Sequence, residues 1–167
     1  MPEGWKQTGN GHAVLLLIGQ ELHNPRRQPE ASHLLCLGIE TDLSPLVDRP
    51  QALIDAVIDQ GGAAYLAHPI EFGTPIMPEE YPWIDWPVER YTGIELWNYM
   101  SEVKSHTRNW PRTLMLAFFP HWFIRGPFVE MRVLWDRLRL QRREPVFAVG
   151  GAAAHAKTSH LGPLRRT

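Results

Sequence analysis

The sequence predicts an α/β fold with parallel strands, and three observations carry that expectation. Short apolar runs suited to buried strands recur at residues 14–18, 33–39, 63–67, 93–97 and 146–149. Amphipathic stretches at 44–60 and 129–142 each lead into one of those runs. Both helix-to-strand units then close on a histidine, His68 and His155, just beyond the strand. Strands joined through helices pair in parallel, so both histidines are expected at one carboxyl-terminal rim, where α/β folds build their sites. A closed barrel of eight units takes about 250 residues. With about five strands in 167 residues, either the sheet is open or part of a barrel is absent.

In chain order, Val14-Leu15-Leu16-Leu17-Ile18 reads as a buried parallel strand that stops at Gly19. Glu21 and His23 follow two residues apart, on one side of an extended chain. The turn-rich stretch 24–29 separates them from the next strand, which places His33 at its start. Pro50 marks a helix start, Leu53, Ile54, Val57 and Ile58 form its apolar face, and Gly61 takes the place of a C-cap. Strand 63–67 ends at His68, because Pro69 cannot donate to a neighbouring strand and biases His68 towards extended backbone. Residues 69–87, rich in proline and bearing Trp83 and Trp86, read as a long loop over the site. Strand 93–97 ends at Asn98, a helix is expected over 99–109, and 118–128 reads as a connection. The last helix turns Phe128, Met131, Leu134, Trp135 and Leu138 inward and its arginines mostly outward, and Gly150 to His155 form the loop after the final strand.

Composition excludes several function classes. Seventeen Lys and Arg against eighteen Asp and Glu give a net charge of −1, which supplies no field for holding nucleic acid or an anionic membrane. Arg137, Arg139, Arg142 and Arg143 read as a solvated helix face rather than a nucleic-acid surface. The longest apolar run, Ala13 to Ile18, is far short of the roughly 20 residues of a membrane helix, and it lacks the flanks of a signal peptide. The single cysteine, Cys36, forms no intrachain disulfide and reads as a small buried hydrophobe. A reducing, cytoplasmic setting and a small-molecule partner are the expectations.

Glu21, His33, His68 and His155 each stand at the edge of an expected strand. Imidazole and carboxylate together suit zinc, manganese or iron, and such sites draw ligands from several strands converging on one rim. Taken singly, a histidine at a strand end is commonly a hydrogen-bonded structural residue, so it is the grouping of four that points to a divalent metal. His23 is held in reserve, and Glu95 and Asn98, at the end of strand 93–97, are possible additional ligands.

Gly19-Gln20-Glu21, His33-Leu34-Leu35 with Gly38, Gly61-Gly62 through Ala67-His68-Pro69, Thr92 to Asn98, Trp135-Asp136-Arg137-Leu138, and Gly150-Gly151 with Ala154-His155 occur in this order. Together they resemble the PHP (polymerase and histidinol phosphatase) family, closest to its carbaryl or carbamate-ester hydrolase branch, over residues 13–157. The resemblance implies a distorted, seven-stranded, TIM-like β/α barrel and a cluster of two or three divalent metals that activates water against phosphate or related esters. It further implies Glu21 as a bridging carboxylate and His33, His68 and His155 as ligands. The family opens with a His-x-His strand, whereas no two histidines here are two apart, and Ala153 stands where the family has Asp. Residues 1–167 are therefore expected to form a single partial domain lacking N-terminal strand(s) and a closing segment.

The expected function is metal-dependent hydrolysis of phosphate, carbamate or carboxylic esters, weak or absent in the chain as given. The alternative is a non-catalytic PHP-like binding or assembly module, and incomplete strand pairing makes self-association an expectation in either case.

Overall fold

The computed structural model describes residues 3–153, together with the backbone of 159–161 and 164–166. His155 lies outside the described residues. Two strands, β1 (Gly4–Gln7) and β2 (Ala13–Leu16), form an antiparallel hairpin with Gly4 opposite Leu16. The main sheet contains β3 (Gly19–Leu22), β4 (Leu34–Leu37), β5 (Ala63–Leu66), β6 (Gly93–Asn98) and β7 (Phe147–Gly151), in that spatial order. Among the described residues four α-helices accompany it: α1 (Pro50–Asp59), α2 (Tyr99–Ser105), α3 (Trp110–Phe118) and α4 (Val129–Gln141). Ser159–Leu161 and Leu164–Arg166 pair as a further short antiparallel ribbon.

The expected parallel barrel is corrected by this sheet, which is open and mixed. β4 runs antiparallel to both β3 and β5, and only β5–β6 and β6–β7 are parallel. No barrel closes among the described residues, where β3 and β7 are the two edges of the sheet. The reason lies in the connections. Leu37 at the end of β4 is the Cα partner of Ala63 at the start of β5, so residues 38–62 leave and return at the same end of the sheet, α1 included. A helix between two strands makes them parallel only when the chain crosses back to the opposite end.

The first strand is also corrected. Residues 14–18, expected inside the sheet, run through β2 of the separate hairpin and just past its end, and Val14, Leu15, Leu17 and Ile18 are exposed. A short apolar run does not declare its burial by periodicity alone. Gly19, expected as a terminus, begins β3. Because a Cβ at Gly19 would overlap the Leu37 side chain and the Cys36 carbonyl, the close approach of β3 to β4 demands glycine there.

The core sits between the sheet and the helices α1 and α4. Leu34, Cys36, Ala64, Leu66 and Ile94 from the sheet meet Leu53, Ile54 and Val57 of α1 and Met131 and Leu138 of α4. Pro50 opens α1 in its first turn, and Leu53, Ile54 and Val57 are its buried face, with Ile58 partly buried beside them. Trp135 of α4 donates its indole N–H to the Val146 carbonyl at 2.9 Å, tying the helix to β7. Not every arginine of that segment is solvated: Arg142 lies 4.2 Å over the Tyr91 ring and donates to the Tyr91 carbonyl.

The Pro-rich segment 69–87 is anchored rather than loose. Trp83 is buried in the core, its backbone N–H donates to the Pro69 carbonyl, and the Ser32 N–H donates to the Pro82 carbonyl. The helix expected over 99–109 ends at Ser105, and a separate helix, α3, starts at Trp110 with the Asn109 side chain accepting from the Arg112 N–H. No helix among the described residues is long and apolar enough to cross a membrane.

Candidate metal centre

The antiparallel setting of β4 is what assembles the centre. The start of a strand lies beside the ends of its antiparallel neighbours, so His33, just before β4, faces Glu21 near the end of β3 and His68 just past β5. The register agrees: Glu21 is the Cα partner of Leu35, two residues beyond His33 and on the same face of β4. On the other side the Ala67 N–H donates to the His33 carbonyl at 3.0 Å, which sets His68 one residue further along. Ser32, with φ +59°, turns the chain into β4 immediately before His33.

His33 Nδ1 donates to Glu21 Oε1 at 2.9 Å, and His68 Nε2 lies 3.5 Å from the same oxygen. Glu21, His33 and His68 thus each offer a ligand atom within 4.8 Å of the others. Both histidines are buried, whereas Glu21 retains 39% of its side-chain exposure and opens the centre to a cleft. Hydrogen bonds from His33, then His68, hold the Glu21 carboxyl far below the usual carboxylate range despite its partial burial. Burial works to lower the His68 pKa, but the Glu21 hydrogen bond and the charges of Glu71, Glu95 and Glu21 outweigh it, and the net shift is upward. The site therefore favours positive charge beside Glu21, whether a proton or a cation supplies it.

His68 is fixed from three directions. Its Nδ1 donates to the Tyr81 carbonyl at 2.9 Å, which leaves Nε2 to face Glu21. Its backbone has φ +29°, not the extended conformation expected before Pro69. In this conformation the His68 backbone N–H donates at 2.9 Å to Oε2 of Glu95, a carboxylate 4% exposed.

Glu95 and Asn98 are present at the centre in a supporting position. Both Glu95 oxygens accept from Asn98 Nδ2, at 3.0 and 3.1 Å, while Asn98 Oδ1 accepts the Ser101 N–H and caps α2. Neither belongs to a group of converging ligand atoms among the described residues. His23 lies nearer, its ring stacked on that of His33 with centroids 4.4 Å apart. Ala153, with φ +46°, lines the cleft and brings no donor atom.

Sequence reasoning missed Glu30, Glu71 and Lys104. Glu30 Oε1 lies 2.9 Å from His33 Nε2 and 3.2 Å from His23 Nε2. Glu71 and Lys104 form a buried ion pair at 3.0 Å. Glu71 also accepts from Ser101 Oγ and the Tyr81 N–H, and Lys104 donates to the Glu79 carbonyl at 2.6 Å. Glu30 offered a signal in its spacing three residues before His33; Glu71 and Lys104 offered none, since their partners lie far along the chain.

These groups, the Glu21–His33–His68 centre and the Glu71–Lys104 pair among them, line one cleft of about 790 Å³. Three protein ligands with a remaining open position are the arrangement of catalytic zinc sites, and an imidazole and carboxylate set suits zinc or its neighbours. The residues present therefore fit a divalent ion. Comparison of the chain with protein-family models, with curated proteins and with solved structures finds no match, and the chemistry of the centre rests on its own geometry.

Proposed function

We propose that this chain is a metal-dependent hydrolase of phosphate or related esters, of the PHP type that its motifs resemble. The observation that carries the proposal is the convergence of Glu21, His33 and His68 ligand atoms within 4.8 Å at the wall of a cleft large enough for a small ester. When bound, a divalent cation supplies Lewis acidity, activating water and offsetting charge on the ester oxygen.

The chain's own residues supply position and charge. Glu21 places a carboxylate, and His68 an Nε2, at the centre. Tyr81 sets the His68 tautomer through its carbonyl, and Glu95 holds the His68 backbone. The paired Lys104 and Glu71 form a fixed, nearly neutral wall, with Lys104 5.2 Å above the Tyr81 ring, so the negative charge in the cleft rests on Glu21, Glu30, Glu79 and Glu95. An acidic cleft of this kind repels an anionic ester until a cation is bound, which makes substrate binding itself metal-dependent.

The test is turnover of a chromogenic phosphate monoester and a chromogenic carbamate with added zinc or manganese. Slow hydrolysis is expected, abolished by a chelator and reduced at least roughly tenfold in Glu21→Gln. Turnover that ignores the chelator would overturn the proposal. Tight metal with no turnover of any ester would favour a non-catalytic binding module instead.

A further inference from the structure

His33 is approached by carboxylates from both sides of its ring. Nδ1 is satisfied by Glu21. Nε2 is buried and makes no hydrogen bond among the described residues, although Glu30 Oε1 lies only 2.9 Å away. A buried polar nitrogen in a folded protein nearly always has a partner, and a carboxylate this close without hydrogen-bond geometry sits beside the nitrogen's lone-pair direction rather than along it.

His23 brings a third group to the same place. Its ring stacks on His33 at an interplanar angle of 16°, and its Nε2 lies 3.2 Å from the same Glu30 oxygen. Ligand atoms of His23, Glu30 and His33 lie within 4.8 Å of one another, and the side chains of His23 and Glu30 are each 33% exposed, so the group opens to solvent at the cleft.

We infer that His23 Nε2, Glu30 Oε1 and His33 Nε2 bind a second divalent cation, of the zinc class, and that His33 is shared between it and the Glu21–His33–His68 centre. Two imidazole nitrogens and one carboxylate oxygen form the borderline-soft set that zinc takes, leaving a position open. Sharing requires the His33 ring to carry neither proton when both cations are present, its second proton passing to solvent as metal displaces it. A cation held there, beside the partly exposed side chains of His23 and Glu30, would offer positive charge to the anionic oxygens of a phosphate ester in the same cleft. The sharing, and this role, rest on the function proposed above; the outer cation site itself does not.

The experiment counts zinc per full-length chain by native mass spectrometry in wild type, Glu30→Gln, His23→Asn and Glu21→Gln. All three positions are partly exposed, so folding should survive, and far-ultraviolet circular dichroism checks it. Two ions are expected in wild type and one in each variant. Nitrogen NMR of the His33 ring separates the sites: zinc should shift Nε2 in Glu21→Gln and Nδ1 in Glu30→Gln. Equal zinc counts in wild type and Glu30→Gln would overturn the inference, as would loss of both ions in either single variant, which would indicate one ion held by all the groups. A lost ion in Glu30→Gln with no loss in Glu21→Gln would uphold the outer site and sink the inner one instead.

Discussion

Gly151 of β7 lies against the carboxylate of Glu95 on β6, so closely that a Cβ at position 151 would overlap Glu95 Oε1. The backbone of one strand thus presses the buried carboxylate towards the His68 peptide. Gly151→Ala should displace Glu95 and release the His68 N–H. The expected cost is about 1–3 kcal/mol of stability, with metal affinity falling on the order of tenfold or more as the His68 support is lost. Thermal melts and zinc titration check both.

Glu95→Gln separates geometry from charge. The amide keeps an oxygen that can accept the His68 N–H but removes a buried negative charge near the imidazole. Since Glu95 is among the charges that raise the His68 pKa, the pKa of His68 should fall in this variant, as NMR titration of the metal-free chain would show.

Burial pushes the Cys36 thiol up to about 12. Its thiolate is therefore scarce at pH 8, and the folded chain should resist iodoacetamide, with full labelling only in denaturant. Labelling of the native chain at the rate of a free thiol would mean that β4 opens readily, and the centre with it.

The cysteine belongs to the part of the fold that was legible in the sequence. Apolar faces on α1 and α4 and the runs of β4, β5, β6 and β7 are local patterns, and each element forms close to where its pattern lies. Strand direction is not local. The β4–β5 pair is antiparallel because its long helical connection returns to the end it left, which no residue in 38–62 announces. β3 escaped notice because Gly19-Gln20-Glu21-Leu22 is mostly polar, as suits an edge strand with one face in a cleft. Glu21, His33 and His68 were legible from strand-end position, and the structure brings them together for a different reason from the expected parallel rim. Glu30 and Glu71 sit in loops, where no periodicity marks a residue.

Acid should loosen the cover of the site. Arg27 pairs with Asp85 through both terminal guanidinium nitrogens, with Nη2 to Oδ1 at 3.0 Å. Burial raises the Asp85 pKa, but the hydrogen bonds from Arg27 and Ser32 and the Arg27 charge outweigh it and the net shift is downward. A depressed carboxylate contributes stability above its unfolded pKa of 3.8 that is lost as pH falls through the lower folded value. The pair is partly exposed, so roughly 1 kcal/mol or less is at stake. Arg27→Met should flatten the stability change in that acid window, as denaturant titrations from pH 5 to pH 2 would register.

The apolar surface of α3 and the turn after it sets an association test. Trp110, Leu114, Phe118 and Trp122 are all more than half exposed, and β3 and β7 are sheet edges without a further strand among the described residues. Contiguous apolar surface and free edges favour self-association. Sedimentation should show concentration-dependent oligomers, reduced in Leu114→Glu. A monomer at all concentrations would remove that expectation.

The proposed function requires Glu21, His33 and His68 to form one cation site. Zinc stoichiometry by isothermal titration, in the wild-type chain and in Glu21→Gln, tests it most directly, because Glu21 is partly exposed and the substitution preserves its shape. The expected result is one equivalent fewer in the variant, with metal-dependent ester turnover lost alongside it. An unchanged stoichiometry and affinity in Glu21→Gln would contradict the claim.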